Sequence, residues 1–281
     1  ILVSALRASD AAVTHDFAEY AVGTSILVGA EIDKMIALAA VTAVLAVGVA
    51  RSRRLLAMAA YESQARRDLT RFFSPDVASR IVGAANPIRP GEGELRHAAI
   101  LTIDLRGFTQ YARDAEPGTV MKLLADYQKR MCAEIFACGG TIDKFLGDGI
   151  LAHFGAAAPS DTYAADALRA VERLRRAVDV WNAEREDGMR FRVGVACASG
   201  ETIFGAVGDE ERLEYTVIGD AVNLAAKLEK HTKSARVRAL VTQDTVDLAR
   251  RQGWHGTLAA KPLAAETVEG VSLPLDLIAF E

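Results

Sequence analysis

TIDKFLGDGILAHFG, residues 141 to 155, reads as two short apolar runs joined by a Gly-Asp-Gly turn, and this reading decides the fold. Asp-Gly between apolar segments is the strongest short-range hairpin signal, so an antiparallel strand pair is expected here. Immediately before it, Val120, Leu123, Leu124, Tyr127, Met131 and Ile135 recur at helical spacing, and Gly139 and Gly140 end that helix. Further back, HAAILTID at 97 to 104 has the unbroken apolar character of a buried strand. After the hairpin, Leu168, Val171, Leu174, Val178 and Trp181 mark a second helix. FRVGVACASG and ETIFGAVG then read as a further strand pair, GDAVNLAAKLEK as another helix, and the end of the chain carries apolar runs near VRALVT and PLDLIAF. Strand, helix, hairpin, helix, strand predicts an α+β fold: a ferredoxin-like βαββαβ layer with additions.

The 281 residues are 51% hydrophobic and 25% charged, which excludes disordered and collagen-like chains. The 33 Lys and Arg against 37 Asp and Glu leave a net charge of -4, so no nucleic-acid partner is indicated. Cys132, Cys138 and Cys197 form no CxxC pair, and neither they nor His97, His153, His231 and His255 have metal-ligand spacing. Residues 35 to 50, MIALAAVTAVLAVGVA, carry no charge and lie between Glu31, Asp33 and Lys34 on one side and Arg51, Arg53 and Arg54 on the other. Sixteen helical residues rise about 24 Å, enough for a span when flanking cations snorkel, although a buried core helix also has this length. A span would set the arginine cluster, and all that follows it, on the cytoplasmic side.

The organisation expected is therefore fourfold: 1–34 an incomplete membrane or extracytoplasmic segment, 35–50 a transmembrane helix, 51–94 a helical linker, and 95–281 the α+β domain. Within the linker, 51–71 lacks Gly and Pro and reads as helix, and Ser74, Pro75 and Asp76 start a second short helix. ANPIRPGEGE at 85–94 breaks helix before the domain.

Asp104 and Asp148 stand where apolar strands stop. In a split βαβ sheet the first strand and the hairpin are neighbours, so the two carboxylates could chelate the same divalent ions, as a metal triphosphate requires. Taken alone, Asp148 reads as a turn residue before it reads as a ligand. Gly107 after Asp104 allows a close backbone approach, and exposed N–H groups at Gly107, Phe108 and Thr109 could cradle phosphate oxygens.

ILTIDLRGFT, GGTIDKFLGDGILAHFG, RVGVACASGETIFGAVG and YTVIGDAVNLAAKLE, in this order, closely resemble the catalytic domain of class III nucleotidyl cyclases, over residues 96 to 281. The resemblance implies that Asp104 and Asp148 bind metal, that Lys144 with Thr216 reads the purine, that Asn223 orients the ribose, and that Lys227 stands where an arginine is usual. Lysine only donates hydrogen bonds, which suits N1 of adenine and opposes the N1–H of guanine. Thr216 replaces the aspartate of many adenylyl members and can still accept from the adenine amino group; by itself it reads as a strand residue. Lys227 keeps the positive charge and loses the bidentate fork, and a helix-surface role is its plain alternative. Arg212 is a candidate for the triphosphate tail, although Glu210, Glu211 and Glu214 beside it suit a solvated charge cluster equally.

These residues imply an adenylate cyclase that converts ATP to cyclic AMP and pyrophosphate with two Mg²⁺ or Mn²⁺ ions. The resemblance also implies a head-to-tail homodimer, with the metal aspartates from one protomer and Lys144, Thr216, Asn223 and Lys227 from the other. The expected location is the inner membrane, the catalytic domain cytoplasmic and the lipid bilayer a partner. Guanylate cyclase, a weakly active or inactive cyclase-like receptor module and a metal-dependent phosphohydrolase are the alternatives.

Overall fold

The computed structural model describes residues 13–23, 26–69, 89–209, 212–257 and 259–281, in two units, residues 1–67 and 68–281. In the first unit, the two-residue strands β1 (Val13–Thr14) and β2 (Ile26–Leu27) pair in parallel around α1 (Phe17–Val22), which Asp16 caps through the Ala18 N–H. Then α2 (Val28–Leu69) runs unbroken for 42 residues, so the apolar stretch and the helix expected after it are one element. Its segment Gly29–Met58, 30 residues of mean hydropathy 2.0 in its apolar window, is long and apolar enough to cross a membrane and has none of that window buried. A core helix would bury one face, whereas Ile36, Leu38, Val41, Val44, Leu45 and Val47 are all exposed. The short helix expected from Ser74 lies outside the described residues.

The second unit is built on an eight-stranded sheet. In chain order it contains β3 (Gly93–Arg106), α3 (Phe108–Asp114), α4 (Pro117–Ala137), β4 (Thr141–Leu146), β5 (Gly149–Phe154), α5 (Tyr163–Glu184) and β6 (Arg192–Gly208). These are followed by β7 (Leu213–Ile218), α6 (Asp220–Ser234), β8 (Ala239–Thr242), α7 (Gln243–Arg251), β9 (Ala260–Glu266) and β10 (Leu275–Phe280). The strand order β4-β5-β3-β6 is that of a ferredoxin-like βαββαβ layer; β8, β10 and β9 extend it, and β7 pairs with the far half of β6.

Both faces of the sheet are covered, which explains why β5 is buried throughout. On one face α4, α5 and α7 pack through Tyr127, Met131, Leu168, Leu174, Trp181 and Val246 against Leu101, Ile103, Ile150 and Val195. On the other, Ala221, Ala225 and Leu228 of α6 cover Ile100, Leu151, Ala196 and Phe204. Alternation along β3 and β6 sends successive side chains into these two cores. The cysteines are free, and burial pushes the Cys197 thiol up to about 12, so they are inert packing residues.

Two expectations are corrected. The strand pair expected from FRVGVACASG and ETIFGAVG is the single 17-residue strand β6, and the true partner of its second half is β7. No turn forms because β3 stays in register with β6 from Gly93 to Arg106 and holds Ser199 and Gly200 extended. There β6 changes its other neighbour from β8 to β7, and the Thr245 hydroxyl accepts the Ser199 N–H at 2.8 Å in the gap. Gly93 and Glu94, read as the end of the linker, already pair with Gly205 and Phe204. The apolar runs near the C-terminus also enclose α7, whose Thr242 cap accepts the Thr245 N–H, and β9.

Candidate active site

Asp104 and Asp148 are brought to one end of the sheet by the strand order. Asp104 stands near the end of β3, opposite Gly194 of β6. Asp148 follows Gly147 in the two-residue turn between β4 and β5, and β5 pairs with β3 up to Ile150 and Ile103. The Asp148 carboxyl is pushed up by burial first and by the charge of Asp104 second, and held back by its own N–H, that of Leu105 and Lys233. Two neighbouring carboxylates of like charge are a natural seat for a divalent cation. Among the described residues there is no cluster of three or more His, Cys, Asp or Glu able to enclose a metal alone. A pair with open positions fits Mg²⁺ or Mn²⁺ held jointly with phosphate oxygens.

Helix α6 closes over this end. Lys233 sets its ammonium 3.5 Å from Asp104 Oδ2, and Arg106 donates to the Thr232 hydroxyl and, at 3.1 Å, to the Val237 carbonyl. Gly194 leaves room for this approach: a Cβ there would lie 2.5 Å from Glu229 Oε1 and 2.8 Å from Thr232 Oγ1, so those side chains would have to shift. Beneath the aspartates lies the fully buried Tyr127, whose phenol is pushed well up by burial and next by their charges.

Burial, and after it the charge of Asp104, push the Glu229 carboxyl up to about 7. A folded-state value above the unfolded one means that the stabilising, protonated form is fully present below the ordinary value and is lost as the pH rises through 7. In chelator-treated protein the Glu229→Gln variant is therefore expected to gain about 1–2 kcal/mol over wild type at pH 8 and almost nothing at pH 5, read as a melting-temperature difference of a few degrees at pH 8 only.

The segment after Asp104 turns sharply into α3. Gly107 takes φ 84° at the helix cap, a left-handed conformation that favours glycine, and accepts the Tyr111 N–H at 3.0 Å. Phe108 packs on the core and anchors the turn, while Gly107 and Thr109 remain exposed. The free N–H groups of this first turn lie within a few residues of Asp104.

A second group forms where β4 meets β7. The register slips between Ile142 and Lys144, so Asp143 is the extra residue of a β-bulge. Its side chain is 1% exposed, and Lys144 Nζ lies 3.7 Å from Asp143 Oδ2 and 2.9 Å from Glu214 Oε2. Thr216 Oγ1 donates to Asp143 Oδ2 at 2.8 Å, and the Val217 N–H donates to Oδ1 at 3.1 Å. Burial raises the Asp143 carboxyl, while Thr216, Lys144 and Val217 favour its charged form. Lys144 and Thr216, expected to read one base together, are thus joined through a residue the sequence reading passed over.

Asn223 and Lys227 lie one turn apart on α6, Asn223 exposed. The Lys227 ammonium donates to the Gly270 carbonyl, and Lys227, Lys230, His231, Ser234, Glu269 and Gly270 line a cationic cleft of about 350 Å³. Arg212 sits exposed at the tip of the β6–β7 hairpin, where its backbone N–H donates to Asp209 at 2.8 Å, and among the described residues no hydrogen bond or ion pair joins its side chain to either group. Among the described residues, no hydrogen bond or ion pair joins the Asp104–Asp148 group to Lys144 or Thr216.

An α+β sheet of this order with paired aspartates at its end is the architecture of nucleotidyl cyclase domains, and comparison with known proteins agrees. Residues 93–265 match the family of the adenylate and guanylate cyclase catalytic domain. The chain belongs to that family, the class III nucleotidyl cyclases. An adenylate cyclase of Anabaena cylindrica is 36% identical over 165 residues, which are 57% of this chain and 32% of that protein. The adenylyl cyclase CyaB from P. aeruginosa is similar in structure, with TM-score 0.59 and 26% identity over 68% of this chain and 96% of that one. The guanylyl cyclase Cya2 has TM-score 0.58 and 28% identity over 67% of this chain and 93% of that one. The chain spans about a third of the length of the first relatives it matches.

Proposed function

We propose that the chain is an adenylate cyclase, converting ATP to 3′,5′-cyclic AMP and pyrophosphate by attack of the ribose 3′ oxygen on the α-phosphate. The carrying observation is the pairing of Asp104 with Asp148 at one end of the sheet, where the charge of one raises the proton affinity of the other. Two Mg²⁺ or Mn²⁺ ions on this pair would supply acidification of the 3′ hydroxyl and neutralisation of the leaving pyrophosphate. Lys144, with three N–H donors, keeps one for adenine N1 beyond those directed at Asp143 and Glu214. Thr216 accepts from the adenine amino group, Asn223 holds the ribose in line, and Lys227 offsets the charge that grows on the α-phosphate. The N–H groups of Gly107, Phe108 and Thr109 bind phosphate oxygens, and Arg212 is assigned to the triphosphate tail.

The two groups are read as halves of one site, completed head to tail by a second copy of the chain. Supporting this, Ile203 and Ile218 pair across β6 and β7, Leu95 pairs with Ile203, and all three are about half exposed or more (63%, 48% and 47% for Leu95, Ile203 and Ile218). The same face of β7 carries Thr216 and Glu214. An apolar row continuous with the base-reading group is what a subunit contact at the site requires. The unburied apolar helix Gly29–Met58 supports a membrane anchor, with the arginines at 51, 53 and 54 on the cytoplasmic side and the bilayer of the inner membrane as its partner.

Incubation of the chain with ATP or GTP and Mg²⁺ or Mn²⁺, with products separated by chromatography, tests the reading. Cyclic AMP from ATP is expected, at a kcat/KM at least about a hundredfold above that for cyclic GMP from GTP. Cyclic GMP as the main product, free phosphate, or no turnover would each reject it.

A further inference from the structure

We infer that Asp143 is a specificity-positioning residue: by holding the proton of the Thr216 hydroxyl, it makes that hydroxyl an obligate acceptor toward the purine. The inference rests on the adenine reading above and adds to it the reason a threonine can discriminate at all. A hydroxyl both donates and accepts, so a free threonine would receive an amino group and a carbonyl at purine C6 equally well. A carboxylate only accepts. With Asp143 Oδ2 taking the Thr216 proton at 2.8 Å, the hydroxyl is left with lone pairs alone. An exocyclic amino group meets a partner there, and a 6-oxo group meets repulsion. Lys144 is donor-only by its chemistry and Thr216 becomes acceptor-only by its neighbour, which together match N1 and the 6-amino group of adenine.

Three observations make Asp143 a built feature. The bulge at Asp143 breaks the alternation of β4, so that Asp143 and Lys144, adjacent in sequence, bring their side chains to within 3.7 Å of each other. The side chain is 1% exposed, and burying a carboxylate is costly unless donors meet it. Both oxygens are met, Oδ1 by the Val217 N–H at 3.1 Å and Oδ2 by Thr216, so the carboxylate cannot rotate without losing a bond.

The Val217 N–H also predicts what an amide would do. In Asp143→Asn the oxygen is retained by Val217, the amino group faces Thr216, and the hydroxyl must accept from it and turn its own proton outward. The full chain is assayed with ATP, with purine riboside triphosphate, which lacks the 6-amino group, and with ITP, which carries a 6-oxo group. Wild type is expected to favour ATP over purine riboside triphosphate by at least about fivefold in kcat/KM. In Asp143→Asn this ratio is expected to fall below about twofold, with ITP gaining on ATP, while turnover of purine riboside triphosphate is retained. In a Thr216→Val background the same change should leave the ratio where it is, because the two residues act as one unit.

A purely structural role would lower all three substrates by one factor. That result, an unchanged ratio, or a folded variant that turns over none of them would overturn the inference. If Asp143→Asn does not accumulate folded, Asp143→Ala deletes the acceptor without adding a donor and frees the hydroxyl to serve an amino or an oxo group, so ITP is expected to gain on ATP, and an unchanged ratio of ATP to ITP there overturns it equally. A wild type that prefers GTP, or that does not distinguish ATP from its 6-unsubstituted analogue, would instead reject the adenine reading itself.

Discussion

Replacing Asp104 by alanine is expected to lower cyclic AMP formation by about a thousandfold or more at saturating ATP and Mn²⁺ while the protein stays folded. The size follows from the role proposed for the carboxylate: with Asp148 it would seat the divalent cations that meet the α-phosphate, and several kcal/mol of transition-state charge stabilisation go with that role. Stability should not fall in parallel. Asp104 is half-buried, is attracted by Lys233 at 3.5 Å and by Arg106, and repels Asp148 and Glu229, so its removal relieves two like-charge interactions as it loses two attractions. The check is paired: chromatographic turnover and a chelator-treated melting curve of the same preparation. Loss of turnover with an unchanged or raised melting temperature is the expected result, and turnover within tenfold of wild type would remove Asp104 from the reaction.

Replacing Lys144 by alanine is expected to reduce kcat/KM for ATP about a hundredfold. A charge-assisted hydrogen bond to N1 is lost, and in addition Asp143 and Glu214 are left facing the base without the ammonium that now lies 3.7 and 2.9 Å from them. Carboxylates no longer offset by the ammonium repel a ring nitrogen that can only accept. Steady-state kinetics with ATP and GTP measures this directly. A fall in kcat/KM for ATP with no such fall for GTP identifies Lys144 as base-reading, and equal falls would make it merely structural.

Much of this was legible in the sequence because it depends on local pattern. Leu123, Tyr127, Met131 and Ile135 announced their helix by spacing, and the Gly-Asp-Gly turn announced the hairpin. Once those are set, the ferredoxin-like order brings Asp104 and Asp148 to the same end. Partner exchange is not written in such patterns. Ser199 and Gly200 look like a turn, and only the register of β3, distant in sequence, keeps β6 straight through them. Lys233 and Glu229 reach Asp104 by the packing of α6 across Gly194, a close approach that no local spacing encodes. Asp143 did leave a trace: two consecutive charged residues inside TIDKFL break strand alternation, and that break is the bulge. Its bond to Thr216 joins residues 73 apart in the chain and is visible only in the fold.

The central claim is that one site is assembled from the Asp104–Asp148 end of one copy and the Lys144–Thr216 group of another. It is tested most directly by mixing an Asp104→Ala chain with a Lys144→Ala chain, each nearly inactive alone. A mixed dimer holds one site spoiled twice and one site intact, so cyclic AMP formation should return to about a quarter of the wild-type rate at equal concentrations, half of the dimers being mixed and each having one working site. A mixture no more active than the better of its two components, in chains shown to exchange partners, would contradict the account.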